Sequence, residues 1–66
     1  MKATFKVETI NGTVVFRTPI EEQAVEGAKM MARETNESVF VTRILGTKER
    51  TNKYTPSGEE IQLWRR

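Results

Sequence analysis

From residue 2 to residue 10 polar and apolar positions alternate, with Ala3, Phe5, Val7 and Thr9 on one side and Lys2, Thr4, Lys6, Glu8 and Ile10 on the other. A period of two predicts a half-buried strand, because successive side chains on an extended backbone point to opposite faces. Asn11-Gly12 follows, a pair that favours a two-residue type I′ turn, in which both central residues need positive φ. Such a turn sets Ile10 against Thr13, Thr9 against Val14, Val7 against Phe16 and Lys6 against Arg17. In that register Val14 and Phe16 join Phe5 and Val7 on an inner apolar face, and Lys2, Lys6, Arg17 and Val15 gather on the outer one.

The second strand runs into Thr18-Pro19-Ile20-Glu21, which reads as a helix start: Thr18 as cap, Pro19 at the first helical position and Glu21 closing a capping box. Ile20, Ala24, Gly27, Ala28 and Met31 then recur at helical spacing, while Glu22, Glu26, Lys29 and Arg33 point elsewhere. Gly27 in that stripe costs about 1 kcal/mol relative to alanine, so it is expected where helix backbone comes close to the sheet. Met31 is expected in the core and Met30 on its flank. Asn36 marks the helix end.

Val39 to Leu45 is β-branched and apolar on both alternating sides, which predicts a third strand in a central position. Gly46 to Asn52 reads as a polar connector. Lys53-Tyr54-Thr55 and Glu60 to Arg66 flank the turn Pro56-Ser57-Gly58-Glu59 and predict a second hairpin. Its last strand puts Ile61, Leu63 and Arg65 toward the helix and Glu60, Gln62, Trp64 and Arg66 away from it. The expected fold is α+β: a single domain over residues 1–66, with an antiparallel sheet of about four to five strands packed on one helix in the order ββαββ.

Composition limits what such a domain can do. With 66 residues it builds one core, burying about 60% of its unfolded surface and yielding roughly 3–5 kcal/mol of stability. The sequence has no Cys, His or Asp, which removes disulfides, thiolate zinc sites, the commonest general base, the best nucleophile and most carboxylate metal sites. Glu59-Glu60 point to opposite faces of a strand and cannot share a substrate. Gly12, Gly27, Gly46 and Gly58 form no phosphate-cradling spacing. A binding role without catalysis, cofactor or metal is therefore expected. The apolar runs are too short to span a bilayer, and the start MKATFKVET lacks a signal-peptide stretch, so a cytoplasmic location without membrane partners is expected. Asn11-Gly12-Thr13 and Asn36-Glu37-Ser38 match the glycosylation sequon, but in a cytoplasmic chain the match is fortuitous.

Charge adds a location. Glu21, Glu22, Glu26, Glu34 and Glu37 against Lys29 and Arg33 make the helix segment acidic, whereas the whole chain is +2. The sheet segments are accordingly basic. Part of the helix pattern serves the dipole, with Glu near the start and Arg near the end. Lys6 opposite Arg17 has no such cause: it is an unfavourable like-charge pair that an anionic partner would relieve. Trp64, turned from the helix by alternation, reads either as an interface anchor or as a cap over the sheet edge. The candidate partner-binding residues are Lys2, Lys6, Val15, Arg17, Arg50, Lys53, Tyr54, Trp64 and Arg66.

In size, acidic helix, basic antiparallel sheet and lack of an active site, the chain resembles small phage-encoded host-takeover proteins, among them short anti-CRISPR proteins built as one helix on a sheet. The likeness is architectural and spans the whole chain. It implies stoichiometric inhibition in the host cytoplasm, by docking on a CRISPR surveillance complex or another host machine such as RNA polymerase and blocking nucleic-acid access. The partner would be a host protein or ribonucleoprotein complex, met at an acidic site or at its bound guide. Two further readings stand beside it. One is a nucleic-acid-binding domain whose basic sheet tracks phosphates while Trp64 or Tyr54 stacks on bases. The other is self-association through an exposed strand edge.

Overall fold

The computed structural model describes residues 2–63. Strands β1 (Thr4–Thr9) and β2 (Val14–Thr18) are followed by helix α1 (Glu21–Thr35) and then by β3 (Val39–Leu45), β4 (Lys48–Tyr54) and β5 (Glu60–Leu63). The fold is α+β, with one five-stranded sheet in the order β2-β1-β3-β4-β5 and every neighbouring pair antiparallel. The element order is thus ββαβββ: the five strands fall within the four to five expected, and the expected order ββαββ is one strand short after the helix. Helix α1 carries the chain from the edge strand β2 across β1 to the central strand β3.

The difference lies in β4, whose end at Lys53-Tyr54 was expected as the first arm of the second hairpin but which starts five residues earlier: Lys48 to Asn52, expected as connector, folds back on β3 through the two residues between paired Leu45 and Lys48. Gly46 alone of those two has positive φ, at 62°, the pattern of a type II′ turn.

The first hairpin also differs in detail. Gly12 N–H donates to the Thr9 carbonyl and Thr9 N–H to the Thr13 carbonyl, each at 2.9 Å, so the loop holds three residues. Only Gly12 has positive φ, 85°, which is a type I turn closed by a glycine bulge rather than a type I′ turn. Thr9 Oγ1 steadies it by accepting from Thr13 N–H. Glu8 therefore faces Val14, yet Val7 faces Phe16 and Lys6 faces Arg17 as expected, because Val15 is left unpaired as a second bulge that restores the register. Val14, expected inside, is 40% exposed. The same loop design recurs after β4, where Gly58 (φ 94°) donates to the Thr55 carbonyl and Thr55 to that of Glu59.

The helix begins later than the capping box suggests. Thr18 is still paired with Phe5 in the sheet and cannot cap; its hydroxyl accepts from Ile20 N–H and donates to Gln23 Oε1, holding the bend before the first turn. Ile20 takes the cap position and is half exposed instead of buried. At the other end Asn36 closes the helix in the left-handed region, φ 59°.

Ala24, Ala28 and Ala32 form the buried stripe of α1, and Phe5, Val7, Val39, Val41 and Tyr54 meet it from the sheet. Small side chains on the helix let it lie close to the sheet. At Gly27 the approach is tightest: a Cβ placed there would come within 2.8 Å of Phe16 Cζ. Met31 packs partly against this core and Met30 is exposed.

Candidate functional site

The helix packs on β1, β2 and β3, touches β4 least and does not reach β5. The sheet is therefore wider than its cover, and it leaves two surfaces open.

The first is the face turned away from α1. Register and pleat place Arg17, Lys6, Thr42, Thr51 and Leu63 there in one row, and Glu8, Phe40, Lys53 and Ile61 in the next. Thr42 and Thr51, each 4% exposed, share a hydrogen bond of 3.0 Å at the centre. Phe40, Ile44 and Leu63 are half-buried and Ile61 is exposed, so apolar and charged groups are interspersed on this face: Phe40 and Ile44 flank Thr42 on the central strand, Ile61 and Leu63 stand on the edge strand β5, and Lys53 lies between Phe40 and Ile61. Ile61 and Leu63 belong to it and not to the helix side, since they pair with Lys53 and Thr51. Lys6 and Arg17 do stand opposite each other, but Lys6 Nζ lies 3.3 Å from Glu8 Oε1. The like-charge strain is thus partly relieved from within the chain.

The second surface is a cleft of about 410 Å³ on the helix side, between α1 and strands β4 and β5. Arg43 and Arg50 meet across β3 and β4 at one end, and Tyr54, Asn52 and Glu60 at the other, with Glu21 and Val25 contributed by the helix. Glu60 Oε2 accepts from both Asn52 Nδ2 (2.8 Å) and Tyr54 Oη (3.2 Å). Asn52 Oδ1 is buried with no donor.

The expected partner residues are thereby divided. Lys6, Arg17 and Lys53 share the outer face. Lys2 is exposed ahead of β1, and Val15 is exposed at the bulge of edge strand β2. Arg50 lies on the helix side, and Tyr54, at 2% exposure, belongs to the core and reaches the surface only at the cleft, with no ring face for a base to stack on. Trp64 and Arg66 lie outside the described residues, as does Arg65. Phe40, Ile44 and Arg43 were not singled out as contacts by sequence. Alternation along β3 against Val39 and Val41 carries the signal for the first two.

Burial pushes the Tyr54 phenol above its ordinary value of 10.0; Asn52 works against the rise and the Glu60 carboxylate adds to it. The fold thus favours the neutral phenol, so the Tyr54 contribution is intact below about pH 10 and is lost as pH rises through the folded-state pKa. Tyr54 is the one tyrosine of the chain, and its tyrosinate absorbance is expected to appear above pH 10, with Tyr54→Phe removing the associated alkaline loss of stability. A midpoint at or below the ordinary value would contradict this burial.

Among the described residues no three His, Cys, Asp or Glu side chains gather to hold a metal, and no helix is long and apolar enough to cross a membrane. No protein-family model, no curated protein and no solved structure matches the chain.

Proposed function

We propose that the chain is a non-catalytic binding protein that docks through the outer face of its sheet on an acidic protein surface of a host nucleic-acid-processing complex and blocks it, as a phage-type, anti-CRISPR-like inhibitor acting in the host cytoplasm would. The observation that carries this reading is the sheet face turned away from α1, which no other described element covers and where Phe40, Ile44, Ile61 and Leu63 are interspersed with Lys6, Arg17 and Lys53. Apolar side chains exposed or half-exposed among cations suit a protein partner that offers both apolar contact and acidic groups.

Protein is favoured over nucleic acid as the partner because Glu8 and Glu49 interrupt the cations of this face and Tyr54 is buried and cannot stack. The discriminating experiment is capture from host lysate with and without nuclease, beside gel-shift titrations with DNA and RNA at low and moderate salt. A host protein retained after nuclease treatment, and released by Arg17→Glu/Lys53→Glu, is the expected result. Direct nucleic-acid binding that collapses steeply with salt, as counterion release requires, would overturn the reading. So would a dimer in solution that Arg17→Glu/Lys53→Glu dissociates, since a second copy of the chain would then already cover the outer face.

A further inference from the structure

We propose that the cleft between α1 and strands β4 and β5 is a binding site for a compact carboxylate that also carries an N–H donor, the chemistry shared by a free amino acid and the C-terminal residue of a peptide. The site lies on the opposite side of the sheet from the docking face and stands independently of it.

Arg43 and Arg50 are direct cross-strand partners. Like charges in that position are destabilising unless something compensates them. Among the described residues the one ion pair within 4 Å is Lys6 with Glu8, so no described carboxylate lies at that range from either guanidinium. Both line the cleft, and their planar forks are suited to gripping a carboxylate through paired N–H groups.

The other end has the opposite character. Glu60 receives both of its internal hydrogen bonds on Oε2, which leaves Oε1 free to accept from a ligand, and Glu21 faces the same space. A dianionic phosphate would meet these acids unfavourably; a single carboxylate with a neighbouring N–H matches both ends. Arg50 and Tyr54 are four residues apart on one strand, or about 13 Å between Cα atoms at the usual rise. Their long side chains narrow this to the reach of one or two residues of a ligand. Phe5, Val25 and Val41 supply an apolar floor, and the volume of about 410 Å³ lies within the common range for ligand clefts.

The test is a titration of the full chain, followed by NMR of arginine side-chain and backbone N–H groups, with four probes: glycine, the tripeptide Gly-Gly-Ala with a free carboxylate, its C-terminal amide, and inorganic phosphate. Saturable shifts at Arg43, Arg50 and Asn52 are expected with the tripeptide or glycine, the tighter of the two naming the source, with at least tenfold weaker binding for the amide and for phosphate. Arg43→Gln/Arg50→Gln should weaken the tripeptide or glycine at least tenfold and, by ending the like-charge contact, raise the melting temperature by about 2–4 °C. Equal binding by the double variant, equal binding of phosphate, no saturable shift, or a double variant that melts lower would overturn the proposal, the last because it would give the arginines a purely structural role.

Discussion

Tyr54→Ala is expected to abolish the cooperative thermal unfolding transition, followed by circular dichroism at 25 °C and above. Tyr54 is the largest of the fully buried side chains, and it joins three parts of the fold: it pairs with Val39 in the sheet, with Glu60 across the last hairpin, and it belongs to the cluster beneath the helix. Removing a buried aromatic ring costs about 3–5 kcal/mol, which equals the whole stability that a domain of this size commonly has. Tyr54→Phe separates ring from hydroxyl: it keeps the packing, gives up the bond to Glu60, and should cost only about 1 kcal/mol. An alanine variant melting within a few degrees of the wild type would mean that the β4 end of the core bears little of the fold.

Ala28→Leu is the second large effect, and it acts from the helix side. Ala28 is fully buried at the middle of the alanine stripe, where the neighbouring Gly27 backbone already leaves no room for a Cβ beside Phe16. A leucine there must lift the helix or force strained rotamers, at about 1–3 kcal/mol. Chemical denaturation should show the midpoint falling with the slope nearly unchanged. Met30→Leu, on the exposed flank of the same helix, is the control and should leave the midpoint in place. An Ala28→Leu variant as stable as wild type would show that the helix does not sit against the sheet through its alanines.

Much of this architecture is legible in the residues themselves. The alternation of Phe5 and Val7, the stop at Asn36 and the two-sided run from Val39 to Leu45 give the first hairpin, the helix and the central strand, because each of these elements has a buried side to stamp its period on the chain. The first five residues of β4 escape the same reading for a physical reason. Up to Tyr54, which anchors the strand in the core, KERTNK lies where the helix barely covers the sheet, so it is held largely by backbone pairing with β3 and β5 and tolerates charge on both sides. The signal that remained was Gly46-Thr47, a two-residue turn between apolar and charged runs.

The facing of β5 failed for a related reason. Alternation puts the apolar residues of the last strand toward the helix, but α1 does not extend over the fifth strand, and Ile61 and Leu63 join Phe40 on the face turned away from it. Lys6 and Arg17 were legible as an outer pair because the second bulge, at Val15, returned the register to the expected one. The cleft was not legible at all: Arg43 and Arg50 come together only once β4 is known to pair with β3.

The central claim is that the partner sits on the outer face, away from the acidic helix. Its most direct measurement is quantitative capture of the host partner by three proteins of matched melting temperature: wild type, Arg17→Glu/Lys53→Glu on the sheet, and Glu22→Lys/Glu26→Lys on the helix. At least a tenfold loss of captured partner is expected for the sheet variant and undiminished capture for the helix variant. Full capture by the sheet variant, or loss confined to the helix variant, would contradict it.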